Sequence, residues 1–329
     1  MKLATLKNDH RDGQLVVVSR DLARMRAVPA VAATLQQALD RWDSMAHALE
    51  AVYAELNAGQ GMSEPFDPAR CAAPLPRAYQ WLDASSYLNH VDLTRRARGG
   101  EMPPSFRSDP VMYQGGSDDF MGPRDPITAA SEALGVDLEA EVVVITGDVP
   151  LGVSADDALG HVRLLGLIND VTLRNLVVPE LAKGFGFMQS KPASALSPVF
   201  VTPDELGGHW RGGKLHRRME VWLNEQKLGQ PQAGEEMNFH FGQLIAHAAR
   251  TRRLIAGTVL GSGTISNASD EAGVCCLVEA RVREQLKFGE MRTPFLKAGD
   301  RVRIEMRDDA GASLFGAIEQ VVQFSGAVQ

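Results

Sequence analysis

Apolar positions recur along this chain with two different periods. Across residues 31–56, Leu35, Leu39, Trp42, Leu49, Val52 and Leu56 fall at three-, four- and seven-residue spacings. That is the period of a helix burying one face. Asn57-Ala58-Gly59 supplies its stop. Short β-branched runs predict strands at 14–18 (after an Asp12-Gly13 turn), 139–145, 200–201, 219–223, 258–260, 274–282 and 301–306. Residues 224–229 read as a hairpin turn, and 79–94 as an ordered segment, helical in its second half. Asp156-Asp157 opens a second predicted helix running to Ile168, and a third covers 241–254.

A proline-rich connector at residues 65–76 divides the pattern. Residues 1–75 are expected to form a small N-terminal α/β unit. Residues 76–329 then form a larger domain dominated by strands, so the fold class is α+β. Residues 97–126, rich in Gly, Pro and Asp, form a connection of the length typical of lids and linkers.

Composition narrows the class. Thirty-one glycines and 17 prolines imply many turns, which suits short strands. Three cysteines provide no disulfide framework; Cys275 and Cys276 sit in an apolar run and are expected to be buried thiols. No apolar run reaches the roughly 18 residues of a membrane span, and the N-terminus lacks the apolar core of a signal peptide. A cytoplasmic, soluble chain is expected. A net charge of −7 and a pI near 5.7 argue against a nucleic-acid partner.

Four segments can carry chemistry. In Asp137-Leu138-Glu139-Ala140-Glu141, Glu139 and Glu141 share a strand face about 7 Å apart. Such carboxylates repel unless solvent, a cation or a base intervenes. A solvated face satisfies this as well as a metal does. Asp170 closes the apolar run 164–168 and suits a cap as well as a ligand role. Asp83 and His90, seven apart, fall on one face of a helix. The glycines of Gly261-Ser262-Gly263-Thr264 can expose N–H groups to an anion, or only make a tight turn.

Together these segments resemble the fumarylacetoacetate hydrolase family over roughly residues 75–325, with support from Ser197-Pro198-Val199-Phe200-Val201-Thr202 and Phe295–Val302. The resemblance implies a β-rich, mixed-sheet (β-roll-like) catalytic domain behind a short N-terminal unit. It implies a divalent cation on Asp83, Glu139, Glu141 and Asp170. An all-oxygen set favours Mg²⁺ or Ca²⁺, with Mn²⁺ also accepted. His90 matches the water-activating histidine and Glu279 the acid that orients it. Arg174 matches an arginine beside the reacting oxyanion. The family's lysine falls at Lys191 by its distance from Ser197-Pro198, or at Lys183 by its immediate neighbours; Lys191 is preferred. Tyr113, Gly263 and Thr264 match substrate contacts. Arg95, Arg96 and Arg98 follow His90 and offer charge for an anionic substrate. The sequence departs from the family at Val177, where hydrolases often carry Gln, and at Ser85, where a Tyr is usual.

The activity this implies is hydrolysis of a C–C bond in a small 1,3-diketo acid, foremost fumarylacetoacetate to fumarate and acetoacetate in tyrosine and phenylalanine breakdown. Acylpyruvate hydrolysis, oxaloacetate decarboxylation and 2-hydroxydienoate hydration use the same metal site, and a non-catalytic binding protein is the remaining reading. The resemblance also implies a homodimer.

Overall fold

The computed structural model describes residues 1–96 and 99–326. Its principal elements in chain order are β1 (Lys2–Leu6), β2 (Gln14–Val18), β3 (Arg24–Ala27), α1 (Leu35–Asp40), α2 (Trp42–Asn57), β4 (Gln80–Ala84), α3 (Leu88–Arg96), β5 (Met112–Gly115) and β6 (Ile127–Ala129). They continue with β7 (Ala140–Thr146), β8 (Val162–Asn169), α4 (Arg174–Leu181), β9 (Phe200–Val201), β10 (Met219–Leu223), β11 (Gln226–Gly229), α5 (Phe241–Ala248), β12 (Thr258–Gly261), α6 (Leu277–Phe288), β13 (Arg301–Met306) and β14 (Ile318–Phe324).

The larger sheet runs β3–β2–β1–β9–β8–β7–β12–β4–β5, so the N-terminal strands extend it through the β1–β9 pairing. A second sheet runs β11–β10–β13–β14–β6. Both faces of the larger sheet are covered. Leu15, Val17, Val143, Ile145, Leu164 and Ile168 pack with Leu35, Leu39 and Leu49 of α1 and α2. The alternate residues Val16, Val18, Val142, Val144, Leu165 and Leu167 pack with Val221, Ile304, Met306 and Ile318 of the second sheet. This explains the uninterrupted apolar runs: strands buried on both faces lose the apolar–polar alternation.

That loss also explains a correction. Residues 162–169 form β8, a central strand, where a helix through Ile168 is expected. A short buried apolar run does not distinguish the two. The Asp156-Asp157 signal makes one turn only, Ala155–Ala158, capped by the Ser154 side chain. A second correction concerns residues 274–282, expected as a strand: α6 starts at Leu277. The helix of 31–56 is broken at Arg41 (φ −132°, ψ 33°) into α1 and α2. Its apolar period continues across the break and so does not register it. The third helix ends at Ala248, short of Leu254. Strands β1, β3, β5, β6 and β14 lie outside the predicted set. The hairpin at Asn224-Glu225 forms, with Asn224 at φ 56° and Leu223 paired to Gln226.

Candidate active site and metal centre

Strand directions bring the acidic residues to one end of the large sheet. β7 and β8 are antiparallel, with Glu141 opposite Ile168, so the start of β7 meets the end of β8. β12 is antiparallel to β7 and parallel to β4, with Gly261 beside Asp83. Tyr113 of β5 pairs with Asp83. Glu139 and Glu141 at the start of β7, Asp170 just after β8, Asp83 near the end of β4 and the loop after β12 therefore converge. Asp83 and His90 do not share one helix face, which corrects the expectation drawn from their seven-residue spacing. Asp83 ends a strand, and His90 is carried back over the site by α3.

Oxygens of Asp83, Glu141 and Asp170 lie within 4.8 Å of one another, and all three side chains are buried. Asp83 Oδ1 and Glu141 Oε1 accept no hydrogen bond among the described residues, an arrangement that is costly unless a cation or proton fills the space. Gly261 makes the room. A Cβ there would sit 2.8 Å from Glu141 Oε2 and 2.9 Å from Asp83 Oδ1. The donor set, all carboxylate oxygen, suits a hard divalent cation. Glu139 stands apart from this trio, with both oxygens engaged. Arg174 donates to Oε1 at 2.6 Å and Lys191 to Oε2 at 2.6 Å. Lys191 also donates to Asp170 Oδ2 (2.5 Å) and Thr172 Oγ1 (2.8 Å).

Four buried carboxyls thus face two cationic side chains. Burial works to raise Glu139, but Arg174 and Lys191 overcome it and hold its carboxyl far below the usual range. Burial, then the neighbouring carboxylates, push Asp83 and Glu141 well up. Burial would lower Lys191; Asp170 and Glu139 outweigh it and keep the ammonium charged.

His90 Nδ1 lies 2.7 Å from Glu279 Oε1, and its Nε2 lies 3.9 Å from Glu139 Oε1. Ser266 Oγ donates to the other Glu279 oxygen at 3.0 Å. The cavity that His90 borders, about 180 Å³, is also lined by Glu139, Tyr113, Arg174, Lys191 and Thr264. A broader basin of about 760 Å³ lies beyond Tyr113 and Phe187, beside Arg250 and Arg252, away from the acids. Arg95 borders the smaller cavity and stacks on Phe106; Arg96 pairs with Asp92 at the surface, and Arg98 lies outside the described residues.

Lys191, not Lys183, reaches the cluster; Lys183 is exposed past the end of α4. Tyr113 OH donates to Asp170 Oδ2 (2.8 Å), and the Gly263 amide donates to Glu141 Oε2 (3.0 Å), so both brace the acids as well as bordering the cavity. At φ +80°, Gly263 would place a Cβ 2.3 Å from the Ala84 carbonyl, which restricts the position to glycine.

Asp137 is the participant that sequence reasoning passed over. Fully buried, it accepts from the Leu277 and Val278 amides at the start of α6 (2.7 and 3.0 Å) and from Arg174 Nε (2.8 Å). One carboxylate thus ties the helix carrying Glu279 to the arginine that holds Glu139. The odd-residue alternation 137–139–141 was its signal. Ser194, which donates to Asp170 Oδ1 at 2.7 Å, and Thr172 had none.

Comparison with known proteins gives two family matches: a C-terminal fumarylacetoacetate hydrolase model over residues 81–323 and a fumarylacetoacetase N-terminal model over residues 1–77. The mitochondrial oxaloacetate tautomerase fahd2 of Xenopus laevis is 29% identical over 214 residues, 62% of this chain and 56% of that protein. The 2,4-didehydro-3-deoxy-L-rhamnonate hydrolase of a Sphingomonas strain is 27% identical over 48% of this chain and 53% of its own. The chain thus spans little more than half the length of these curated relatives. A crystal structure of maleylpyruvate hydrolase from Sphingobium, in complex with manganese(II) and pyruvate, shares the fold with a TM-score of 0.64 at 17% identity, covering 98% of both chains.

Proposed function

We propose, on the premise that this chain belongs to the fumarylacetoacetate hydrolase family, that it is a cation-dependent hydrolase of a C–C bond in a small 1,3-diketo acid. The observation that carries the reading is the His90–Glu279 pair. One imidazole nitrogen is held at 2.7 Å by a buried carboxylate, and the other faces the cavity that Glu139, Arg174 and Lys191 border. That is the arrangement of an oriented general base.

Asp83, Glu141 and Asp170, with Glu139 beside them, would hold the cation, Mg²⁺, Ca²⁺ or Mn²⁺. Bound there, it would polarise the ketone oxygens of the substrate. His90 Nε2 takes a proton from the attacking water, and Glu279 steadies the imidazolium that forms. Arg174 and Lys191 place positive charge beside the oxygen that becomes negative on attack. The C–C bond then breaks, and His90 returns its proton to the departing carbon. Thr264 borders the same space and offers a hydroxyl to a substrate carboxylate. Fumarylacetoacetate is the foremost substrate under this reading, giving fumarate and acetoacetate in aromatic amino-acid breakdown. A cytoplasmic homodimer belongs to the same proposal, and sedimentation velocity tests its oligomeric part.

A second reading is favoured by the Xenopus laevis relative: tautomerisation of oxaloacetate, in which His90 or Lys191 moves a proton between carbon and oxygen and no water adds. The experiment is a panel of fumarylacetoacetate, acylpyruvates and oxaloacetate, followed by product analysis with and without EDTA. Two acid products from a diketo acid, abolished by EDTA, support hydrolysis. Keto–enol exchange of oxaloacetate with no cleavage of any diketo acid overturns it.

A further inference from the structure

Behind His90, on the side away from Glu139, a second and chemically different set of donors meets. Cys276 is the N-cap residue of α6 and Glu279 lies in its first turn, three residues on. His90 enters from α3. The imidazole, thiol and carboxylate donor atoms lie within 4.8 Å of one another. Cys276 Sγ is 3.9 Å from His90 Nδ1, and Glu279 Oε1 is 2.7 Å from the same nitrogen. The hydrolytic reading leaves the thiol unused.

We infer that His90, Cys276 and Glu279 form a second metal site, selective for a borderline or soft divalent cation such as Zn²⁺ or Cd²⁺, which inhibits the enzyme by occupying its general base. Sulfur and imidazole ligands select such ions, whereas the four-carboxyl cluster selects hard ones. A thiolate and a carboxylate together cancel a divalent charge, so the filled site buries no net charge. The ion displaces the proton on Nδ1 and the thiol proton, both of which leave to solvent. Ser266 Oγ, 3.0 Å from Glu279 Oε2, holds the carboxylate in orientation. Once Nδ1 carries an ion instead of a hydrogen bond to Glu279, His90 no longer stabilises the charge it must accept at Nε2. The inhibition, though not the binding, rests on the hydrolytic reading.

The test titrates the full-length protein, kept in excess Mg²⁺, with Cd²⁺ while recording the ultraviolet thiolate-to-cadmium charge-transfer band. The expected result is a band that saturates at one equivalent, with activity falling in parallel. In Cys276→Ser the band is lost and the half-inhibiting concentration rises at least about tenfold; Cys71→Ser and Cys275→Ser keep both. His90→Ala retains the thiol and weakens the band's midpoint by a similar factor. Absence of the band at one equivalent, a band that follows Cys71 or Cys275, or an unchanged midpoint in His90→Ala overturns the site. The band is read without turnover, so it decides the site even if no diketo acid is cleaved. Unchanged Cd²⁺ inhibition of Cys276→Ser, where substrate is cleaved, overturns the inhibitory role.

Discussion

Removing the imidazole of His90 should separate chemistry from cation binding. His90→Ala is expected to lose about 10²–10⁴-fold in kcat, the usual contribution of general base catalysis, while calorimetry finds Mg²⁺ affinity retained. The carboxyl trio of Asp83, Glu141 and Asp170 does not include His90. Equal kcat in the two proteins would remove the base from the mechanism. The two lysines give a matched pair. Lys191→Ala takes the cation from between Glu139 and Asp170 and should abolish most activity, whereas Lys183→Ala, altering an exposed side chain, should leave steady-state rates at the wild-type level. Strand spacing singled out Glu139 and Glu141 but left a solvated face equally open; Asp83 and Asp170 joined them only through the family resemblance. The choice of lysine rested on which of two local patterns to weigh. The path of the chain from α4 to β9 is what brings Lys191, and not Lys183, against Glu139 and Asp170.

The start of α6 shows why an element can be invisible locally. Its N-cap residue is Cys276, whose side chain makes no capping bond, and the apolar segment Val274–Val278 lacks the usual Ser, Thr or Asp signal. The cap comes from Asp137, 140 residues away. Asp137→Asn should therefore cost about 1–3 kcal/mol by chemical denaturation, since it weakens a buried, charge-assisted cap. It should also lower kcat more than KM, because Glu279 and Arg174 both depend on that side chain. A loss of stability with unchanged kcat would limit Asp137 to folding. Glu180 at the end of α4 anchors the segment leading to Lys191, accepting from the Met188, Gln189 and Ser190 amides and from Ser190 Oγ. Against the cost of burial, the Ser190 hydroxyl and those amides hold its carboxyl down at about 2. A depressed carboxyl adds stability above its unfolded value, about 4.3, and loses it as pH falls toward the folded one. The gap in urea midpoint between wild type and Glu180→Gln should be open at neutral pH and close between about pH 4.5 and 2. A gap independent of pH would show that the carboxylate charge is not what holds the segment. Strands β7 and β12 were readable from their β-branched runs. β8 was not, because burial on both faces erased the alternation that separates strand from helix.

At the scale of the whole molecule, one sheet serves both as core and as platform for the site. The residues that pack between its layers lie on the same strands that deliver the clustered acids: Ile145 and Glu141 on β7, Leu165 and Ile168 on β8 leading to Asp170. Ile145→Ala, well inside the core and away from the acids, should destabilise by about 2–5 kcal/mol, and at temperatures below its unfolding transition it should keep its cation affinity. Conversely, clustered buried carboxyls repel one another, so a cation bound among them should stabilise the fold: Mg²⁺ or Mn²⁺ should raise the melting temperature and EDTA should lower it. A melting temperature indifferent to both would remove the cation from the account. The overall charge of −7 says little about this centre, where Arg174 and Lys191 sit among the acids. The central claim is that His90 activates water to cleave a diketo acid, and turnover in heavy-oxygen water tests it most directly. The account predicts one heavy oxygen in the carboxylate of the acid released by C–C cleavage, with the signal lost in His90→Ala. Consumption of the substrate with no cleavage and no heavy oxygen in any product would contradict it.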